Sequence, residues 1–103
     1  MNVIFGRSNA ELLGDRYLVL ELEKLQSDGK SVECFCAVPW EELTSSNMSA
    51  VQHYAQLHQR LIENLNEKNY LVCHDLIEHL LGKFGGHLDS FYEIILERIN
   101  YKV

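Results

Sequence analysis

The spacing of hydrophobic residues changes at Pro39, from a period of two before it to a period of 3.6 after it. Alternation is typical of strands with one wet face, and the longer period is typical of amphipathic helices. The 103 residues therefore predict an α+β fold, in which a small N-terminal antiparallel sheet of two or three strands packs on three C-terminal helices. We expect a single domain over residues 1–103, β-rich over 1–38 and helical over 39–103.

The first half of the chain predicts a β-hairpin over residues 17–26 and 31–38. Alternate leucines of the first strand share one face, while Glu21 and Glu23 lie on the other. Asp28-Gly29, between the strands, suits the positive φ values of a tight turn. A third strand is predicted at residues 3–5. Residues 8–14 read either as one helical turn or as a loop, and residues 39–43 as a single turn.

The second half predicts helices at residues 49–66, 69–81 and 89–101. The last two form a helical hairpin around a glycine-rich bend at residues 82–87. Ser90 and Glu93 have the spacing of a capping box, in which each side chain bonds the backbone of the other. Phe84, within the bend, is expected to close the end of the core.

Composition excludes several classes of function. Nine Lys and Arg stand against fifteen Asp and Glu, a formal net charge of −6, so we expect no nucleic-acid partner. Apolar runs fall short of the roughly 20 residues of a membrane span, and the N-terminus does not resemble a signal peptide. Three cysteines are too few for a disulfide framework. We expect a cytoplasmic protein with no membrane partner.

Cysteine and histidine invite a metal or nucleophilic site. Cys34 and Cys36 share a strand face, and helix two carries Cys73, His74 and His79. Histidines five residues apart diverge on a helix, however, and buried cysteine is a common small hydrophobe. We therefore predict no metal, no cofactor and no enzymatic activity. A metal- or Cys/His-dependent enzyme stays open as an alternative, because the sequence does not say whether these residues converge.

A second alternative is a small-molecule-binding module. His58 interrupts the apolar stripe of helix one, where it is either a core histidine bonded to a neighbour or a ligand contact. Trp40, at the passage from sheet to helices, is either a core lid or a recognition aromatic. With Tyr54, these residues would line an apolar pocket.

An apolar surplus predicts an interface. Helix three is hydrophobic nearly all round, and the second face of the hairpin mixes apolar side chains with Glu21, Glu23 and Glu33. We expect part of this surface to be covered by a second chain, as a homodimer, or by residues 9–14. The predicted interface residues are Tyr17, Val19, Phe35, Phe91 and Ile94.

The C-terminal third carries a resemblance. Residues 79–92, with Asn69-Tyr70 before them and Arg98-Ile99 after them, resemble small uncharacterised proteins of marine bacteriophages and related mobile elements, and residues 11–17 look similar as well. The helical hairpin is also similar to one tetratricopeptide-like helix pair, although one pair is too few for a solenoid. The resemblance implies half of a fold and a phage or mobile-element origin, with no catalytic residues. A host protein as partner would fit the apolar interface that the sequence predicts. The predicted function is thus a non-enzymatic interaction or accessory protein that self-associates and docks on a protein partner.

Overall fold

The fold is α+β, as predicted. The computed structural model describes residues 2–43 and 48–100, except the side chain of Ser27. The elements in chain order are β1 (Val3–Phe5), α1 (Arg7–Glu11), a 3₁₀ turn (Gly14–Arg16), β2 (Tyr17–Glu21), β3 (Leu25–Ser27), β4 (Lys30–Val32), β5 (Cys34–Pro39), a second 3₁₀ turn (Trp40–Leu43), α2 (Met48–Asn66), α3 (Tyr70–Leu80) and α4 (Asp89–Asn100). The predicted helices agree with α2, α3 and α4 to within a residue, and residue 101 lies outside the described part of the chain.

The main sheet has three antiparallel strands in the order β1-β5-β2. The predicted hairpin is interrupted, because Leu20 pairs with Cys36 in the sheet whereas Leu25 pairs with Val32 in a separate two-stranded extension. Two residues, Glu23 and Lys24, therefore lie opposite Glu33 alone, which is the arrangement of a β-bulge. The turn beyond it is as predicted, with φ of 51° at Asp28 and 76° at Gly29.

The bulge changes the direction of Glu23. The alternation predicts Glu23 on the same face as Glu21 and Glu33, and this prediction is wrong. Glu23 instead forms an ion pair with Arg98 of α4, in which the single nitrogen Nη1 lies 2.7 and 2.8 Å from the two carboxylate oxygens. An extra residue shifts the phase of the alternation, so that the side chain reaches the helices.

Helix α1 covers part of the other face of the sheet. Phe35 and Ala37 of β5 are only 5% and 2% exposed, and Ala10 of α1 is also buried. The Arg7 guanidinium lies 5.2 Å from the centre of the Phe35 ring and pairs with Glu33 at 2.6 Å. The sequence predicts that either a second chain or residues 9–14 cover this face. In the structure, part of the face is covered from within the same chain, by the segment that includes Ala10.

The main core lies between the sheet and the three long helices. Leu20, Cys36 and Val38 of the sheet belong to one buried cluster with residues of α2, α3 and α4. Phe84 is 1% exposed and joins this cluster, as the sequence predicts. None of the helices described here is long and apolar enough to cross a lipid bilayer.

The start of α4 does not have the predicted capping box of Ser90 and Glu93. Gly82, Gly85 and Gly86 all have positive φ, which glycine adopts without strain. The helix begins at Asp89, so Ser90 is already helical and does not hold the N-cap position. The Asp89 carboxylate accepts a hydrogen bond from the backbone N–H of Gly82 at 2.7 Å, which fastens the start of α4 to the end of α3.

Two leucines of α3 provide a matched test of this core. Leu80 is 0% exposed and Leu71 is 70% exposed. We expect Leu80→Ala to lower the free energy of unfolding by about 2–5 kcal/mol, because it leaves a cavity. Leu71→Ala should change it by less than about 0.5 kcal/mol. Urea denaturation followed by circular dichroism measures both, and equal losses would contradict the packing of α3.

Candidate functional site

His58 is a buried bridge between three elements. Its side chain extends from α2 and is 1% exposed. One ring nitrogen, Nδ1, lies 2.8 Å from the Tyr92 hydroxyl oxygen on α4, and the other, Nε2, lies 2.5 Å from the backbone carbonyl oxygen of Glu21 on β2. Of the two interpretations of His58, the structure supports a core histidine bonded to its neighbours.

The partners of His58 determine its tautomer. A carbonyl oxygen can only accept, so Nε2 carries the proton and donates it to Glu21. The bare Nδ1 then accepts from the Tyr92 hydroxyl. Burial disfavours the charged imidazolium and lowers the pKa of His58 to about 4, against a smaller opposing effect of the Glu21 carbonyl. Burial also raises the pKa of Tyr92, so both groups stay neutral.

The three cysteines are free, buried thiols. Burial raises the pKa of Cys36 to about 11 and also raises the pKa of Cys73. A nucleophilic cysteine needs the opposite shift, toward the thiolate. The Cys73 sulfur is 4.0 Å from the backbone oxygen of Leu61, a contact inside the helix–helix core. These thiols behave as small hydrophobic side chains.

Trp40, Tyr54 and His58, the residues of the predicted small-molecule pocket, do not line one common groove in the structure. Trp40 lines a groove of about 440 Å³ together with Arg16, Tyr17, Pro39 and Glu41. Tyr54 is half-buried, and the Lys83 ammonium lies 5.4 Å from the centre of its ring. His58 has both ring nitrogens engaged. The structure therefore does not place His58 and Tyr54 beside Trp40 in this groove.

A second groove lies between α1 and the sheet, and we call it the α1 groove. It has a volume of about 440 Å³ and is open to solvent. Its lining residues come from α1, the turn after it, two strands and α2: Arg7, Ala10, Glu11, Gly14, Asp15, Val19, Glu21, Phe35 and Gln59. Two of the predicted interface residues, Val19 and Phe35, belong to this lining.

Charges around the α1 groove are mostly negative. Arg7 is bound by Glu33, and the hydrogen bond between them lowers the pKa of Glu33. The charges of Glu21 and Glu11 also act on Arg7 and help to raise its pKa. The Gln59 amide nitrogen lies 3.5 Å from the Glu21 carboxylate at the rim. Among the described residues that line the groove, one paired cation, Arg7, therefore stands against Glu11, Asp15 and Glu21.

The remaining predicted interface residues lie elsewhere. Tyr17 borders the Trp40 groove. Phe91 is 8% exposed and its ring centre lies 6.2 Å from that of His58, so it is a core residue of this chain. Ile94, one turn further along α4, is 57% exposed. The five residues therefore do not form one surface, and Ile94 is the one on α4 that a partner could cover.

Two groups of residues were missed by the sequence reasoning. The ligand atoms of His74, Asp75 and Glu78 on α3 lie within 4.8 Å of one another, and their spacing along one helical turn was the available signal. The group lies at the surface, where His74 Nδ1 is 3.5 Å from Glu78. Arg7 and Gln59 meet at the α1 groove through the fold of distant segments, which no local pattern indicates.

Comparisons with known proteins give no further assignment. No protein family, curated protein or solved structure matches this chain. The resemblance to proteins of marine bacteriophages and mobile elements therefore stays a prediction.

The pKa of His58 predicts an acid dependence of stability. The folded protein holds His58 neutral down to about pH 4, whereas the unfolded chain binds the proton near the ordinary value of 6.5. Stability contributed by the neutral histidine is thus complete above pH 6.5, falls as the pH drops and is lost by pH 4. The loss should be about 3 kcal/mol. We expect an NMR titration to place the His58 midpoint near 4.

The control is His53, an exposed histidine five residues earlier on α2. Urea denaturation from neutral pH to pH 4 should show the same acid-dependent loss in His53→Gln as in the unaltered chain, and a smaller loss in His58→Gln. A His58 that titrates near the ordinary value of 6.5 would contradict the buried neutral bridge.

Proposed function

We propose that this chain is a non-enzymatic interaction protein that docks on a protein partner and also self-associates. The observation that carries the proposal is the α1 groove, an open cleft of about 440 Å³ with a mixed polar and apolar lining. Because the cleft is open to solvent, a projecting segment of a partner protein can enter it.

The state of the reactive side chains supports a non-enzymatic role. Burial raises the pKa of Cys36 and Cys73, which disfavours a thiolate nucleophile. Both nitrogens of His58 are engaged in the core, so this histidine lacks the free position that a general base needs. These groups serve packing, and that weighs against the alternative of a Cys/His-dependent enzyme.

Docking and self-association would use different sides of the molecule. The α1 groove lies on the face of the sheet that α1 covers, whereas α4 packs among the long helices on the opposite face. Ile94 and Leu71 expose 57% and 70% of their surface on the helical side. A dimer formed there would leave the groove open for a second protein. A host protein as that partner fits a phage or mobile-element origin.

Substitution of Ile94 tests self-association. We expect a dimer at high micromolar concentration, measured by size-exclusion chromatography with light scattering over a dilution series. Ile94→Glu should give a monomer without loss of folding, because the side chain is 57% exposed. Gln56→Glu adds the same charge at an exposed site of α2 and should leave the dimer intact. A strict monomer for the unaltered chain would remove self-association from the proposal.

Site-specific cross-linking tests docking. A benzoylphenylalanine at Gln59, on the rim of the α1 groove, should cross-link one partner protein in producing cells. The same group at the exposed Glu78 of α3 is the control and should not capture that protein. The identified partner should then bind the purified chain in calorimetry, with Val19→Ser weakening the complex. A partner captured equally from both positions would contradict docking at the groove.

A further inference from the structure

The α1 groove is lined by both apolar and acidic side chains. Its floor contains side chains of Val19 and Phe35, with Ala10 beside them. Carboxylates come from two sides: Glu11 and Asp15 from α1 and the turn after it, and Glu21 from the end of β2. Phe35 and Ala10 are 5% and 8% exposed, so an occupant meets mainly Val19 as apolar surface, beside the negative charge.

Arg7 does not reverse this charge. Its guanidinium is bound to both oxygens of Glu33, at 2.6 and 3.4 Å, and its side chain lies over the Phe35 ring. The donors of Arg7 that would recognise a phosphate or a carboxylate are thus partly used within the chain. The three remaining carboxylates would repel an anionic ligand.

Long basic side chains match such a lining. Lysine and arginine lay an apolar stem along a hydrophobic surface while the charged end stays with polar groups. We infer that the α1 groove takes a cationic segment of the protein partner, with a Lys or Arg stem against Val19 and its charged end among Glu11, Asp15 and Glu21. This inference rests on the proposed docking function and specifies the chemistry of the partner.

Charge complementarity favours a different protein over a second copy of this chain. The chain has a formal net charge of −6, so a second copy approaching the groove brings further negative charge. A basic partner is attracted by the whole chain and by the groove.

Three peptides test the inference with the full-length chain. One alternates leucine with lysine, and the other two carry glutamine or glutamate in place of lysine. The lysine peptide should bind in calorimetry and shift the NMR signals of Ala10 and Val19, whereas the other two should bind much more weakly. Higher salt should weaken the binding of the lysine peptide, because salt screens charges that solvent can reach.

A matched pair of triple variants separates the groove from general attraction. The variant Glu11→Gln/Asp15→Asn/Glu21→Gln should bind the lysine peptide about tenfold more weakly, as expected for the loss of three solvent-accessible charge pairs. Glu78→Gln/Glu93→Gln/Glu97→Gln removes the same charge from exposed positions of α3 and α4 and should leave the affinity within about twofold. Circular dichroism confirms that both variants are folded.

Every other outcome overturns the inference. If both triple variants bound the lysine peptide equally weakly, the peptide would be attracted by the net charge of the chain alone. Equal binding of the glutamine peptide would mean an apolar groove, and dissociation of a dimer by the groove variant would mean that a second copy occupies it. Absence of peptide binding would also refute a cationic occupant, while cross-linking at Gln59 would still decide separately whether the groove docks a protein.

Discussion

The neutral imidazole of His58 is the contact on which the arrangement of sheet and helices depends. It joins the carbonyl of Glu21, at the end of an outer strand, to the Tyr92 hydroxyl on α4. A buried carbonyl and a buried hydroxyl each cost free energy when they lack a partner, and one ring satisfies both. The contact therefore ties α2 to β2 and to α4 with polar bonds inside a layer that is otherwise held by apolar packing.

The two faces of the sheet are covered very unevenly, and this explains where the open groove lies. Three long helices bury one face, while the five-residue α1 covers part of the other. Such a short helix covers Phe35 through Arg7 but leaves space beside Val19. The resulting cleft is bounded by a helix too short to fill it, so its polar walls come from α1, its following turn and the rim of α2.

Sequence periodicity predicted the elements well, because each helix or strand records its own buried face. The stripe of α2, the turn at Asp28-Gly29 and the buried Phe84 all followed from local spacing. The bulge was not predicted, although the step from Leu22 to Leu25 breaks the alternation of the leucines at that place. Its effect on Glu23 depends on Arg98, which lies 75 residues away.

The candidate sites were harder to predict for the same physical reason. His58 was recognised as unusual, yet its partners come from β2 and α4, and periodicity carries no information about distant pairs. Phe91 and Ile94 both belonged to an apparently continuous apolar helix, and the structure separates them into core and surface. The α1 groove combines α1 and the turn after it with β2, β5 and α2, so it exists only in the assembled fold.

The bulge at Glu23-Lys24 also has a consequence for how this chain can change in length. A residue added within β2 or β5 would turn every following side chain to the opposite face and expose the core. The bulge already absorbs one such step, so the tip formed by β3 and β4 keeps a register of its own. Insertions and deletions in the tip are thereby uncoupled from the sheet, which makes residues 25–32 a natural place for sequence drift or for a grafted loop.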